Sequence, residues 1–379
     1  MFRRKLFYLS GFDPRGPRFY HRLHREALAR RAELAGEANS VTPCRRDQDH
    51  VFAWTVETES TRTVCSFLAW DDLVRKSWLK PGVRLWGRAM VAYYGYLRQA
   101  SPVQMWRLKP EFSIVLWYPL VVALLLPLLA AMALIGIGLI FLPIATGWLL
   151  AFGGLGAGVL VAMPVLERIN ALWLIRSCIY KDAVAREGFD EATLARLDHF
   201  AEVIADALRD GDEDEVLLVG HSSGAVMAVP LLLRLIERCD GRLPAHFTLV
   251  TLGHCLPLLS ARLDATAYHD MMRQLSTEPF DWIDIGMQAD AAGFHGIDPF
   301  LPLTQHGAVR LSLSAPKLAQ FWSEKSCSAG WHNKYGVHFA YLRCGDSLSP
   351  IDFPSLTVAP RRAAEQAVAF RMIEQHAQA

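Results

Sequence analysis

The sequence predicts an α/β protein: a mostly parallel sheet flanked by helices, interrupted by an inserted two-helix transmembrane hairpin. Three observations carry this expectation. A buried β-branched run, Val216 to Val219, meets the turn Gly220-His221-Ser222-Ser223-Gly224, and Ala225, Val226 and Ala228 continue it at helical spacing. Short apolar runs alternate with amphipathic helical patterns on both sides of the chain's middle, which is the rhythm of a parallel sheet. Between them, residues 112–166 contain no Asp, Glu, Lys, Arg or His, a stretch long enough for two spans of about 20 apolar residues each.

The 379 residues suffice for one large domain or two, and a formal net charge of +1 gives no electrostatic footing for nucleic acid. Cys44, Cys65, Cys178, Cys239, Cys255, Cys327 and Cys344 are dispersed without a C-x-x-C pair. They read as reduced thiols, so neither a disulfide framework nor a metal site is expected, and no cofactor motif is present. The opening Met1 to Ser10 is basic, but its apolar run is too short for a signal peptide before Gly11-Phe12-Asp13-Pro14 cuts it off.

Lys5 to Leu9 reads as a buried strand running into the glycine turn Ser10-Gly11-Phe12. Pro17 to Leu34 reads as an arginine-rich helix with Phe19, Leu23, Leu28 and Leu34 on one side. His21 and His24 on it lack acidic or cysteine partners and read as a solvated face rather than a metal site. Val51 to Thr58 and Thr61 to Trp70 are extended, and Asp71-Asp72 fits the cap and first turn of a helix better than acid–base work.

Val83 to Arg107 interleaves arginines with Trp86, Tyr93, Tyr94, Tyr96 and Trp106. Such a pattern could stack bases, but ahead of an uncharged stretch it reads as a membrane-interface belt. The spans are expected near Ser113 to Leu134 and Ile144 to Leu166, with Gly153, Gly154, Gly156 and Gly158 allowing close helix approach. A buried soluble helical pair is the alternative. Arg98, Arg107 and Lys109 before the stretch and Arg168, Arg176 and Lys181 after it place both flanks on the cytoplasmic side.

Ile169 to Arg186 and Asp190 to Arg209 then read as helices, Phe247 to Leu252 as a buried strand and Trp282 to Ile285 as another. The soluble parts thus form two halves of one domain, with boundaries at residues 1–110, 111–167 and 168–379.

The turn around Ser222 has the pattern of a nucleophile elbow, in which glycines two residues before and after the serine permit a close strand-to-helix crossing. The other reading is a tight turn with an ordinary serine. His221, between Gly220 and Ser222, reads as structural. A serine nucleophile needs N–H donors for the oxyanion, one from Ser223 and one from a loop after an early strand, for which Phe12 is the candidate. It also needs a base and an acid, which follow the elbow in the order Asp or Glu, then His. Asp290, in the loop after a strand, is favoured as the acid over Asp284 within the strand, with Asp298 third. Among His295, His306, His332 and His338 the late position favours His338, at the start of an apparent helix, with His332 the runner-up.

With these residues the chain resembles the α/β-hydrolase superfamily, and more narrowly bacterial members that carry a membrane hairpin in the hydrolase domain. The resemblance covers residues 1–110 and 168 to about 345. It departs where Ser10 stands in place of the histidine that many members have before the oxyanion-loop glycine. The antiparallel strands usual before the oxyanion strand are also missing, which implies a sheet trimmed at one edge. The resemblance implies a membrane-anchored serine hydrolase facing the cytoplasm. It would act on an ester or thioester, with a small acyl or lipid-like substrate, through Ser222, Asp290 and His338, and would contact bilayer lipids through the hairpin. The alternatives are a catalytically inactive membrane scaffold or partner-binding protein and, less well supported because the spans hold no ionisable residue, a transporter subunit.

Overall fold

The computed structural model describes residues 1–141, 147–326 and 334–376. Its sheet has nine strands: β1 (Phe2–Leu9), β2 (Ser40–Val41), β3 (Arg45–Gln48), β4 (Val51–Glu57), β5 (Thr61–Leu68), β6 (Glu215–His221), β7 (Phe247–Leu252), β8 (Asp281–Ile285) and β9 (Arg310–Ser314). The order is β2-β4-β5-β1-β6-β7-β8-β9, with β3 also on β4. Strands β5, β1 and β6 through β9 run parallel, whereas β4 is antiparallel to β5, and β2 and β3 are antiparallel to β4. The sheet is therefore mixed and mostly parallel, as expected. Its antiparallel edge is present rather than trimmed: it follows β1 in the chain instead of preceding it.

Alternation along the strands sorts side chains to the two faces. Leu6, Tyr8, Leu217, Val219, Val250, Leu252, Ile283 and Ile285 form one buried cluster with Tyr20, Leu23 and Leu28 of the helix Pro17–Ala35 and with Phe353 to Phe370. Phe7, Val216, Leu218 and Leu249, between them in register, are buried on the other face, where the helix Ser223–Arg238 packs on β1 and β6. Arg4 and Glu215, opposite one another on β1 and β6, form a fully buried ion pair at 2.7 Å. Arg4 also donates to the carbonyls of Ala359 and Arg361, and Glu215 accepts from the Ala363 amide, so both charges have partners beyond the pair, although Arg4 Nη1 makes no hydrogen bond among the described residues.

From β1 the chain moves to β5 on one side; from β6 it moves to β7 on the other. The order reverses between these two neighbours, and the crevice outside their carboxyl ends is where an open α/β sheet binds ligands. The loop after β1 and the turn after β6, the two segments the sequence singled out, both lie there.

His24 is buried rather than on a solvated face. Its Nδ1 accepts from Trp54 Nε1 at 3.1 Å, and its Nε2 donates to Thr357 Oγ1 at 3.2 Å, whose own hydrogen goes to the Pro354 carbonyl. Both nitrogens are thus committed to the neutral imidazole, and burial, reinforced by His21, pushes its pKa down to about 3. In the unfolded chain the group titrates near pH 6.5, so the stability it contributes is complete above that pH and is lost as the pH falls toward 3. Replacing it, as in His24→Gln, should flatten the rise of unfolding free energy with pH between pH 6 and 4 by about 1.4 kcal/mol per pH unit. Chemical unfolding in detergent at several pH values measures this, and an unchanged slope contradicts it. Asp71 and Asp72 open the helix Asp71–Ser77, where Asp71 pairs with Arg75 and Asp72 is held at 2.9 Å by both terminal nitrogens of Arg196.

Two compact units divide the chain: Met1–Ser77 with Val184–Ala379, and Trp78–Ala183. The second includes the helices Val83–Gln99, Pro102–Leu108, Pro110–Phe141 and Gly147–Arg168. Pro110–Ile140 is long and apolar enough to cross a membrane, and 11% of its most apolar window is buried. A soluble core helix would be mostly buried, and this one is not. The helix Phe152–Arg168 is followed by Ala171–Glu187 at a 79° bend, with Asn170 at φ 58° in the break. Gly158 and Gly154 lie against the other long helix, where an added Cβ would meet the Pro127 carbonyl at 2.5 Å and Ile135 Cγ1 at 2.9 Å. Gly153 and Gly156 face open space. Of the six flanking cations, Lys109, Arg176 and Lys181 are buried within this unit; Arg176 holds Glu167 and the Leu79 carbonyl. Ile144, where the second span is expected to begin, lies outside the described residues.

Candidate active site

Ser222 sits between β6 and the helix Ser223–Arg238 at φ 55°, ψ −117°. That is a conformation non-glycine residues rarely adopt and the mark of a serine held in a sharp elbow. Its amide donates to the Leu252 carbonyl at the end of β7 (2.9 Å), which pins the turn to the neighbouring strand. The flanking glycines are required by contact. A Cβ on Gly220 would lie 3.0 Å from the Ala225 backbone, and one on Gly224 would lie 2.1 Å from the Leu9 carbonyl oxygen.

The loop after β1 closes on this turn. A Cβ on Gly11 would be 3.1 Å from Ser222 Cβ and 3.5 Å from its Oγ, so Phe12 begins one peptide bond away from the point of contact. Trp70 Nε1 donates to the Ser10 carbonyl at 3.0 Å, and the buried Phe12 ring packs near the Trp70 ring. Asp13 accepts from Tyr20 Oη and from the Arg15 amide and guanidinium. The Arg15 guanidinium in turn lies over the Phe339 ring, next to His338. Ser223 is the first residue of its helix, so its amide has no partner within the helix. Its side chain is buried 3.9 Å from Cys255 Sγ.

Asp290, in the loop after β8, and His338 meet: Asp290 Oδ2 and His338 Nδ1 are 2.8 Å apart, with the two residues 1% and 2% exposed. The other carboxylate oxygen accepts from the Ala292 amide at 2.9 Å. Gly253 and Gly293 leave room for the group, since a Cβ on either would come within 2.8 Å of Oδ2. His338 does not open a helix; it closes the short helix Lys334–His338, and a 3-10 turn, Ala340–Leu342, follows. Two residues the sequence reading did not place in the site hold this pair. Tyr341 Oη accepts from the Met287 amide and donates to Asp290 Oδ2 at 3.0 Å. His221 Nε2 donates to the His338 carbonyl at 2.9 Å, with the two imidazole rings 4.9 Å apart. Burial, with the His338 imidazole second, lowers the His221 pKa to about 3, which keeps it the neutral donor this contact needs. His221 thus fastens the residue before Ser222 to the backbone of His338. Only the turn glycines made it visible in the sequence; nothing did so for Tyr341.

The other candidates lie elsewhere. Asp284 is fully buried inside β8, bonded to Thr251 Oγ1 at 2.6 Å and 3.6 Å from His254 Nε2, and burial raises its carboxyl well above the usual range. Asp298 pairs with His306 at 2.7 Å on the surface. His332 lies outside the described residues. Ser222, Asp290 and His338 are therefore drawn to one rim of the sheet, although Ser222 Oγ itself makes no hydrogen bond among the described residues. Also among the described residues, no group of three His, Cys, Asp or Glu side chains could hold a metal ion.

Chemically, the arrangement offers a strained serine at a helix N-terminus, an imidazole whose tautomer is set by a buried carboxylate, and a glycine loop against the hydroxyl. No family model, curated protein or solved structure matches the chain.

Proposed function

We propose that the protein is a membrane-anchored serine hydrolase of the α/β-hydrolase type, acting on an ester or thioester. The observation that carries this is the buried Asp290–His338 hydrogen bond beside an elbow that holds Ser222 at positive φ. Asp290 fixes the proton on His338 Nδ1 and leaves Nε2 as the base. Ser222 Oγ attacks the acyl carbon while Nε2 takes its proton, and the Phe12 and Ser223 amides stabilise the oxyanion. Collapse expels the alcohol or thiol, which takes the proton from His338; water then attacks the acyl-serine and regenerates Ser222. In this reading the serine-to-imidazole hydrogen bond forms only when substrate enters, as catalytic contacts often do in the Michaelis complex.

In this reading the helices Pro110–Phe141 and Gly147–Arg168 both span the bilayer. Outward Leu129, Met132, Ile137 and Leu160 support it, and the hydrolase unit is cytoplasmic by the excess of Arg and Lys at the ends of the pair. An anchored site favours a lipid-like acyl substrate. The test is a panel of acyl esters and thioesters of graded chain length in detergent. Wild type should hydrolyse at least one, and Ser222→Ala should lower kcat by about 10⁴-fold or more. Equal rates for the two proteins would exclude Ser222 as the nucleophile. The competing reading, a binding protein that keeps the elbow for packing, draws on the absence of a hydrogen bond from Ser222 Oγ; it expects no turnover on any member of the panel.

A further inference from the structure

The helix Val83–Gln99 is apolar on two sides. Leu85, Ala89, Ala92, Tyr93 and Tyr96 are buried, with Tyr93 packed 5.5 Å from the Trp117 ring. Tyr93 and Tyr96, which the sequence pattern assigns to an interfacial belt, are thus inside the unit. A second set, Val83, Met90, Tyr94 and Leu97, recurs seven, four and three residues apart and is exposed, with Val91 beside it and Tyr94 exposed by 63%. Arg98, Arg84 and Arg88 line one edge of this outward stripe by helical spacing, and none of them enters an ion pair among the described residues. The next helix, Pro102–Leu108, adds exposed Val103, Trp106 and Arg107. Pro110 then starts the long apolar helix, so the stripe runs into the end of that helix within the same compact unit.

We propose that Val83–Leu108 forms an interfacial arm whose outward stripe lies in the bilayer surface and whose arginines bind anionic lipid headgroups. The charge selects the occupant. A second copy of the chain would bring the same arginines together, whereas an anionic leaflet supplies their counter-charge at the depth to which Tyr94, Leu97 and Trp106 reach. Continuity with the spanning helix fixes the depth. This rests on the reading of Pro110–Phe141 as a membrane span, and the experiment separates the two. It also gives the hydrolase a preference for anionic regions of the membrane.

The full-length protein is placed in nanodiscs of phosphatidylcholine alone or mixed with phosphatidylglycerol, with the photo-crosslinker p-benzoylphenylalanine at Tyr94, at Met90 or, as a reference, at Leu129 in the apolar helix. Leu129 reports the span and should cross-link lipid in both discs. Tyr94 and Met90 should cross-link lipid several-fold more in the anionic discs, and Arg84→Gln/Arg88→Gln/Arg98→Gln should remove that gain while leaving Leu129 unchanged. Lipid adducts at Leu129 with none at Tyr94 or Met90 would overturn the arm and leave the span standing. Equal yields in the two discs would overturn headgroup selection. Adducts to a second copy of the chain would assign the stripe to a dimer instead.

Discussion

Asp290→Asn should reduce kcat/KM for ester hydrolysis by about 10⁴-fold, or about 5.5 kcal/mol of transition-state stabilisation, with little change in KM. The carboxylate accepts from His338 Nδ1 and Tyr341 Oη at the same oxygen, and the asparagine amide can satisfy those neighbours only by presenting its own N–H on one side. An amide nitrogen facing His338 forces the proton to Nε2 and removes the base. Steady-state kinetics on the best substrate of the panel checks this, with the near-ultraviolet circular dichroism of the variant confirming its fold. Retention of a tenth or more of the wild-type rate would contradict the assignment of the acid. Tyr341→Phe, which removes the tyrosine donor to Asp290 Oδ2 and leaves the His338 contact, should cost far less, about tenfold.

Gly224→Ala should have the second large effect, and through the fold. Its Cβ would meet two backbone oxygens, those of Leu9 and Ser10, at 2.1 and 2.8 Å, and neither belongs to a side chain that can swing away. Relief requires separating the elbow helix from the end of β1, so a loss of several kcal/mol and of all activity is expected, in the range of severe core overpacking. Gly11→Ala discriminates the architecture from the chemistry. Its Cβ would rest at 3.1 Å from Ser222 Cβ and 3.5 Å from Oγ, close enough to crowd an incoming acyl carbon but not to open the sheet. That variant should keep a near-wild-type melting temperature and lose most of its turnover. A soluble-looking, well-folded Gly224→Ala would contradict the closeness of the two loops.

Much of this arrangement was legible because it rests on local chemistry. β7 is an unbroken run of aromatic, aliphatic and β-branched residues whose limits match the expected Phe247 to Leu252, and the glycines around Ser222 announce a turn whose tight contacts only glycine permits. β9, Arg310–Ser314, alternates leucine with serine over too few residues to separate it from a loop, and β2 and β3 are too short and polar to register. They exist because β8 and β4 offer them a partner edge. His24 looked solvent-facing because its partners, Trp54 and Thr357, are far away in the chain. The same holds for Tyr341, which reaches Asp290 by a single bond across 51 residues, and for the three flanking cations buried inside the inserted unit. Hydrogen bonds of long sequence separation leave no spacing to read.

The proposed hydrolysis stands on Ser222 as the nucleophile and His338 as its base. Reaction of the detergent-solubilised protein with a fluorophosphonate, followed by peptide mass spectrometry, tests it most directly. A single phosphonyl adduct on Ser222 is expected, with the labelling rate falling by orders of magnitude in His338→Gln. An adduct on another serine with Ser222 unmodified, or labelling of Ser222 that is indifferent to His338, would contradict it.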